Sequence, residues 1–188
     1  MKKVFVLAFV FLFVIPTFSY AKDYAGYALI GGGGGGDAKA GNAKIEFGGY
    51  SINKNTNILL GLGFTSTFNR DELPSDTLSY PCPHTNYRTL GTKNKKEEVG
   101  LYGKVGIEPV KTSSIFLFVT GGATWGKEVD LVRSNVTGWY YEQSEKTKTY
   151  GLIGGGIGYF PDPKNKRFVL QVEYNNRMGI VGGIGINW

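Results

Sequence analysis

The histidine of the chain, His84, lies in the segment SYPCPHTNY close to groups that could work with it chemically. Ser79, Asp76 and Glu72 shortly precede it, so a nucleophile, a base and acids are near one another in sequence. Such a set could transfer an acyl group if the base held a hydrogen bond to the hydroxyl. Prolines bracket the segment and no His-x-Ser spacing is present, which predicts a loop that holds these groups poorly. We therefore expect no catalysis.

A metal or another cofactor is also not expected. Cys82 and His84 are two possible ligands, and two rarely suffice to hold a metal ion. Cys82 is the only cysteine, so an internal disulfide is impossible.

Six consecutive glycines, Gly31 to Gly36, could suggest a phosphate-binding loop. The run matches G-x-G-x-x-G trivially, and the P-loop pattern fails because Lys39 lies between Ala38 and Ala40. The run follows YAGYALI and precedes a turn and a further apolar segment. We therefore predict that it forms the outer half of a first strand, which closes against a glycine-rich last strand.

The elements that must position these residues begin with the N-terminus. Residues 1–21 combine Lys2 and Lys3, an apolar run and small residues at Ser19 and Ala21, which predicts a cleaved secretory signal peptide. An uncleaved anchor helix is the alternative, disfavoured by the short apolar run. Residues 22–188 are then one domain.

Alternation with period two predicts eight strands, and no sustained helical periodicity occurs, so the chain is expected to be all-β. The predicted strands are Tyr24–Gly36, Ala43–Ile52, Asn57–Phe68, Glu98–Glu108, Ser114 to beyond Trp125, Lys148–Phe160, Arg167–Asn175 and Gly179–Trp188.

The connections between these strands differ at the two ends. Strands two and three, four and five, and six and seven are joined by short polar turns, whereas long loops are predicted over Asn69–Glu97 and Lys127–Thr147. An even number of strands with short turns at one end and long loops at the other is the pattern of outer-membrane barrels. Aromatic residues near strand ends would form interfacial girdles: Tyr24, Tyr27, Phe68, Trp125, Tyr150, Tyr159, Phe160 and Trp188.

The chain resembles the small eight-stranded outer-membrane barrels of Gram-negative bacteria, which include the transmembrane part of outer membrane protein A, its X relative and opacity-type proteins. The resemblance rests on the signal peptide, the eight strands, the end with short turns and the final GGIGINW. Members of that family usually end in an aromatic residue preceded by alternating apolar residues, which the barrel-assembly machinery recognises. Ile184, Ile186 and Trp188 fit this pattern. The resemblance implies an eight-stranded antiparallel up-and-down transmembrane β-barrel.

Charged residues on the alternate positions would then face a narrow lumen. An eight-stranded barrel has room for side chains and little more, so we expect a packed ion-pair network rather than an ion path or a catalytic carboxylate pair. The predicted network consists of Lys44, Glu46, Glu98, Lys104, Glu108, Arg167 and Glu173.

The long loops are the expected functional surface, because their basic and aromatic residues could contact lipopolysaccharide phosphates or a partner. The net charge of +6 for the whole chain favours anionic lipid or polysaccharide over nucleic acid in an exported protein. We expect a monomeric outer-membrane protein with a structural or surface-interaction role. A lipid A-modifying enzyme and a soluble periplasmic ligand-binding barrel are the alternatives. The candidate contact residues are Lys93, Lys95, Lys96, Trp139, Tyr140 and Tyr141, with Lys146 and Lys148 nearby.

Overall fold

The computed structural model describes residues 24–38, 40–52, 58–68, 73–111 and 113–188. Eight antiparallel strands pair in chain order, and the last pairs with the first to close a barrel. The predicted all-β, up-and-down barrel is confirmed, while the predicted signal peptide lies outside the described residues. The strands are β1 (Tyr24–Gly35), β2 (Ala40–Ser51), β3 (Ile58–Phe68), β4 (Tyr87–Ile107), β5 (Ile115–Ser134), β6 (Tyr140–Tyr159), β7 (Phe168–Asn175) and β8 (Gly179–Asn187).

Side chains alternate between the two faces of the barrel wall as the sequence pattern predicts. In β7, Leu170 and Val172 are exposed on the outside, while Gln171 and Glu173 are buried in the lumen. The barrel is therefore apolar outside and largely polar in the middle of its interior, the reverse of a soluble barrel.

The register of the strands shows how wide the interior is. Directly paired residues can be followed from strand to strand around the barrel, starting at Gly26 of β1. After one full turn they lead back to β1 at Gly34, so the strands are staggered by eight residues. An eight-stranded barrel with this stagger has strands tilted by about 36° and an interior filled by side chains.

Inward-facing glycines make room for the aromatic side chains of that interior. A Cβ at Gly61 would overlap the hydroxyl of Tyr27, and a Cβ at Gly63 would overlap the ring of Tyr102. Glycine at these positions of β3 lets the ring of Tyr102 lie against the backbone of the neighbouring strand and the ring of Tyr27 reach across β2.

The glycine run of β1 forms the closing seam with β8. Gly32 is paired directly with Gly182, and a Cβ at Gly33 would overlap the carbonyl oxygen of Ile180. Beyond the seam, the turn between β1 and β2 is joined to the turn between β7 and β8. Backbone hydrogen bonds run from Asp37 N to Asn176 O at 2.7 Å and from Ala38 N to Arg177 O at 3.2 Å.

The two predicted long loops are wrong for residues 87–97 and for most of Lys127–Thr147, because three strands continue past the barrel, whereas residues 73–86 belong to no named strand. β4 begins at Tyr87, β5 runs on to Ser134, and β6 begins at Tyr140. We call the protruding three-stranded part the extension sheet: Tyr87–Lys95, Lys127–Ser134 and Tyr140–Thr147. Its segments carry charged residues on both faces, so they lack the apolar alternation that identifies a half-buried strand. The opposite end of the barrel, with the short turns, is called the turn end.

Candidate functional site

The middle of the lumen holds two lysines and two glutamates whose side chains are fully buried. Lys104 Nζ lies 2.5 Å from Glu46 Oε1, and Lys44 Nζ lies 2.7 Å from Glu173 Oε2. The two pairs are close to each other, with Lys44 Nζ 3.7 Å from Glu46 Oε2. The charges balance, which is the condition under which buried ions are tolerated.

We call the four buried ions the charged layer, and neutral side chains contact it. Tyr27 and Tyr102 donate their hydroxyls to the two oxygens of Glu46 at 2.7 and 2.8 Å. Lys104 Nζ also donates to Gln171 Oε1 at 2.5 Å. Glu46 of β2 therefore accepts from Tyr27 of β1 and from Tyr102 and Lys104 of β4, and Lys104 also reaches Gln171 of β7, so the network links four strands across the lumen.

A second ion pair closes the lumen towards the extension sheet. Arg177, in the turn between β7 and β8, donates to Glu98 through Nε at 2.9 Å and Nη2 at 2.5 Å. Thr124 donates its hydroxyl to the same carboxylate, and the guanidinium lies 4.0 Å from the centre of the Tyr150 ring. Sequence alternation could not find Arg177, because turn residues do not follow the period of a strand.

Two members of the predicted network do not reach the lumen. Arg167 precedes β7 and is exposed, because the strand begins at Phe168 and the alternation does not continue before it. Glu108 follows β4 and is half-buried, and its carboxylate accepts a hydrogen bond from Ser114 N at 2.7 Å in the turn.

An aromatic layer fills the lumen at the turn end. The ring of Phe160 lies 5.0 Å from Tyr27, 5.4 Å from Tyr50 and 5.7 Å from Phe116, measured between centroids. All four side chains are at most 1 % exposed. The hydroxyl of Tyr50 donates to the carbonyl of Pro161. Packed rings thus occupy the width of the barrel below the charged layer.

The extension sheet carries ion pairs of a more solvated kind. Lys95 Nζ lies 2.5 Å from Glu142 and 3.1 Å from Glu145, and Lys127 Nζ lies 2.5 Å from Glu145. The hydrogen bond to Glu142 raises the pKa of Lys95 against the opposing effect of burial. The hydrogen bonds from Lys127 and Lys95 lower the pKa of Glu145.

The other face of the extension sheet is also paired. Asp130 accepts from Ser144 at 2.6 Å and from Thr92 at 2.8 Å, and these hydrogen bonds lower its pKa. Lys148 Nζ lies 2.9 Å from Glu128. Lys146 is exposed and lies 3.9 Å from Asp130.

The predicted surface contacts are distributed unevenly. Trp139 is 54 % exposed, Tyr140 is half-buried, and Tyr141 is buried at 4 % exposure, so it cannot contact a partner. Lys93 is half-buried opposite Val129, whereas the side chain of Lys96 lies outside the described residues.

The residues considered for catalysis do not form a set. Ser79 Oγ donates to Glu142 at 3.3 Å, and Asp76 is exposed. Glu72 lies outside the described residues. Among the residues whose placement is described, no group of three His, Cys, Asp or Glu side chains could hold a metal ion.

The C-terminal residues complete the seam and face outwards. Ile184 and Ile186 are 59 and 62 % exposed. Trp188 exchanges backbone hydrogen bonds with Gly26 at 3.0 and 3.1 Å, and its indole lies over Gly26, where a Cβ would meet it.

Within the described part of the chain, no helix is long and apolar enough to cross a membrane. No family model and no curated protein sequence matches the chain. The strand pairing decides the fold. The chain is a closed eight-stranded β-barrel.

Two solved structures are similar to it. One is the crystal structure of Ail, the attachment invasion locus protein of Yersinia pestis, in complex with the heparin analogue sucrose octasulfate. Its sequence is 16% identical to this one, the match covers 87% of this chain and 92% of that chain, and the TM-score is 0.42. The other is the N-terminal beta-barrel domain of Pseudomonas aeruginosa OprF: 12% identity over 88% and 98%, with a TM-score of 0.45.

Proposed function

We propose that the chain is an integral protein of a Gram-negative outer membrane, which supports the envelope and contacts surface partners through its extension sheet without catalysing a reaction. The observation that carries this proposal is the inverted barrel. Aliphatic side chains cover the outside while Lys44, Glu46, Lys104 and Glu173 are buried. At least 40 % of each of these outward residues is exposed: Ile30, Ile45, Leu60, Val105, Leu117, Val119, Ile153, Ile157, Leu170, Val172, Ile180, Ile184 and Ile186.

We call these outward aliphatic residues the belt. In water the belt would be unfavourable, because each large aliphatic side chain left exposed lacks the stabilisation of about 1.5–3 kcal/mol that its burial would contribute. Lipid tails remove that cost. A soluble ligand-binding barrel would instead bury these residues and keep an interior cavity, whereas this interior is occupied by the charged layer and the aromatic layer.

The height of the belt supports the same proposal. Outward residues of β5 stay apolar or small from Ile115 to Trp125, ten residues apart. At about 3.3 Å per residue and a tilt of about 36°, this segment rises about 27 Å, close to the apolar band of about 25 Å in outer-membrane barrels. Exposed aromatic residues lie at its two borders: Phe168 and Trp188 at the turn end, Phe68 and Trp125 at the other.

Several finer parts of the proposal follow from this orientation. Residues 1–21 would direct export, and Ile184, Ile186 and Trp188 would be read by the barrel-assembly machinery. Lipopolysaccharide would surround the belt, and Lys93 would lie near its phosphates. The hydroxyl of Ser79 donates to Glu142 rather than to His84, so no catalysis is proposed. The filled lumen favours a monomeric, non-conducting barrel.

Fractionation of expressing cells tests the proposal. The protein should sediment with outer membranes and migrate differently on gels before and after boiling, as folded barrels do. Recovery in the soluble periplasm would overturn it. The variant His84→Ala should leave the acylation of lipid A unchanged; a change would favour the enzyme.

A further inference from the structure

The upper part of the extension sheet places two arginines side by side. Arg88 of β4 is paired in register with Arg133 of β5, so their side chains leave the same face, and both are exposed. Like charges directly opposite each other on neighbouring strands destabilise a sheet. A ligand that carries negative charge would reverse this repulsion.

Two lysines on the same face of the extension sheet differ from the arginines. Lys95 and Lys127 each lie 2.5 Å from a carboxylate oxygen. In the part of the chain that the structure describes, no carboxylate forms such a pair with Arg88 or Arg133. The two arginines are thus adjacent exposed cations without a carboxylate partner, whereas the lysines below them on this face are neutralised.

One of the two guanidiniums is held in place, beside exposed apolar surface. Arg133 Nε donates to Gly138 O at 2.9 Å, and its guanidinium lies 5.4 Å from the centre of the Tyr140 ring. In the adjoining turn, Val136 is 63 % and Trp139 is 54 % exposed. Arginine with exposed tryptophan and tyrosine is the composition of binding hot spots in protein interfaces.

This surface lies well above the depth of phospholipid headgroups. Arg133 lies eight residues beyond Trp125 along β5, which is about 26 Å of strand and about 21 Å of height at a tilt of about 36°. The polar layer of a bilayer is only about 5–8 Å thick on each side. The surface therefore lies in the aqueous space above that layer.

We propose that this arginine–aromatic corner, made of Arg88, Arg133, Val136, Trp139 and Tyr140, binds an acidic segment of a partner protein. Carboxylates of the segment pair with the two guanidiniums, and an apolar side chain of the segment covers Val136 and Trp139. The inference rests on the proposed function, which places the extension sheet outside the cell.

A partner protein fits this corner better than a long anionic polysaccharide. Glu142 and Glu145 of β6 lie on the same sheet face as Arg133, one and two rows below it. These carboxylates are already paired with Lys95 and Lys127, so unpaired positive charge on this face is confined to the two arginines at its end. A short acidic segment with one apolar residue matches that small area, whereas a long uniformly charged chain would gain no further ion pairs below it. Exposed Val136 and Trp139 also require an apolar counterpart.

The test uses the full mature chain folded in detergent micelles and a synthetic peptide of alternating Glu and Phe, with its Gln/Phe counterpart as a charge-free probe. We expect the acidic peptide to bind more tightly. Arg88→Glu combined with Arg133→Glu should weaken that binding by about tenfold or more, and Trp139→Ala by several-fold. The matched control, Lys111→Glu with Lys164→Glu, reverses two exposed charges at the turn end and should leave binding unchanged.

Three results would overturn the inference: equal binding of the two peptides, equal loss in the arginine and lysine variants, or tighter arginine-dependent binding of dextran sulfate than of the acidic peptide. The last would indicate a polysaccharide. The gel shift on boiling checks that each variant is folded, and Arg88→Gln with Arg133→Gln replaces the Glu variant if it is not. Peptide binding is measured on protein folded in micelles, whereas the proposed function is tested by fractionation of cells. Loss of peptide binding can therefore be told apart from a failure of the protein to reach the outer membrane.

Discussion

The barrel and the extension sheet are built from the same strands but use them in opposite ways. Along β5, outward residues from Ile115 to Trp125 are apolar or small, and inward residues face a dry, crowded lumen. Beyond Lys127 the same strand has charged residues on both faces, Glu128 and Asp130 on one and Arg133 on the other, interspersed with the buried Val129, Leu131 and Val132. Hydrogen bonding of the backbone continues through both regions. The burial of the ion pairs differs between the two regions, and so does the free energy that an ion pair contributes to folding.

The largest expected difference concerns Glu46 in the lumen and Glu145 in the extension sheet. Glu46→Gln leaves Lys104 as a buried charge without its nearest partner, and breaking such a pair costs about 3–5 kcal/mol. Glu145→Gln removes two bonds to lysines that water can replace. Urea unfolding of each variant in lipid vesicles should show a large fall in the free energy of unfolding for the first and a much smaller one for the second. Equal falls would contradict the contrast.

The glycine seam should be the next most sensitive place. Gly33→Val puts a side chain onto the Ile180 carbonyl, whereas Gly121 has open space where its Cβ would be. Overpacking at Gly33 should cost about 1–3 kcal/mol and slow folding into vesicles, while Gly121→Val should be tolerated. The rate at which the heat-sensitive gel form appears measures both. If the two variants folded equally fast, the glycine run would be only tolerated rather than required.

The smallest effect should come from pH in the extension sheet. Hydrogen bonds lower the pKa of Glu145 and Asp130, so their stabilisation is present above the ordinary carboxyl pKa of about 4 and is lost as pH falls through the lowered values. The pKa of Lys95 is raised, so its contribution is lost only as pH rises above about 10.5.

Hydrogen exchange at pH 3 and pH 7, corrected for intrinsic rates, should therefore show weaker protection at pH 3 for residues 127–134. Protection of residues 168–175 in the barrel should stay the same. Uniform loss in both segments would mean that the extension sheet and the barrel open together.

The sequence predicts the barrel well because each barrel strand separates two environments. Ile184 and Ile186 alternate with Gly185 and Asn187, and that period survives in the structure. In the extension sheet, polar residues lie on both faces, so Lys93 to Glu97 look like a loop although all of them are in β4. For the same reason, the sequence predicts the members of the interior network correctly in the middle of the strands. The prediction is wrong at the borders of the network, the ends of the strands.

Those borders show where alternation stops being informative. Arg167 fits the inward period of β7 by number but precedes the first paired residue. Arg177 has no period to follow, since it reaches the lumen from a turn. With Arg177 in place of Arg167, and Glu108 in the turn, the ion pairs of the lumen among the described residues join three acids and three bases: Glu46, Glu98, Glu173, Lys44, Lys104 and Arg177.

The central claim is that the outside of the barrel faces lipid and the tip of the extension sheet faces water. Ile153 and Val136 are both exposed, at 70 and 63 %, but only Ile153 lies in the belt. Membrane insertion of Ile153→Arg and Val136→Arg tests the claim most directly, measured as the equilibrium between urea-unfolded and vesicle-inserted protein. The account predicts a penalty of about 2–4 kcal/mol for Ile153→Arg and almost none for Val136→Arg. Equal tolerance of arginine at both positions would contradict it.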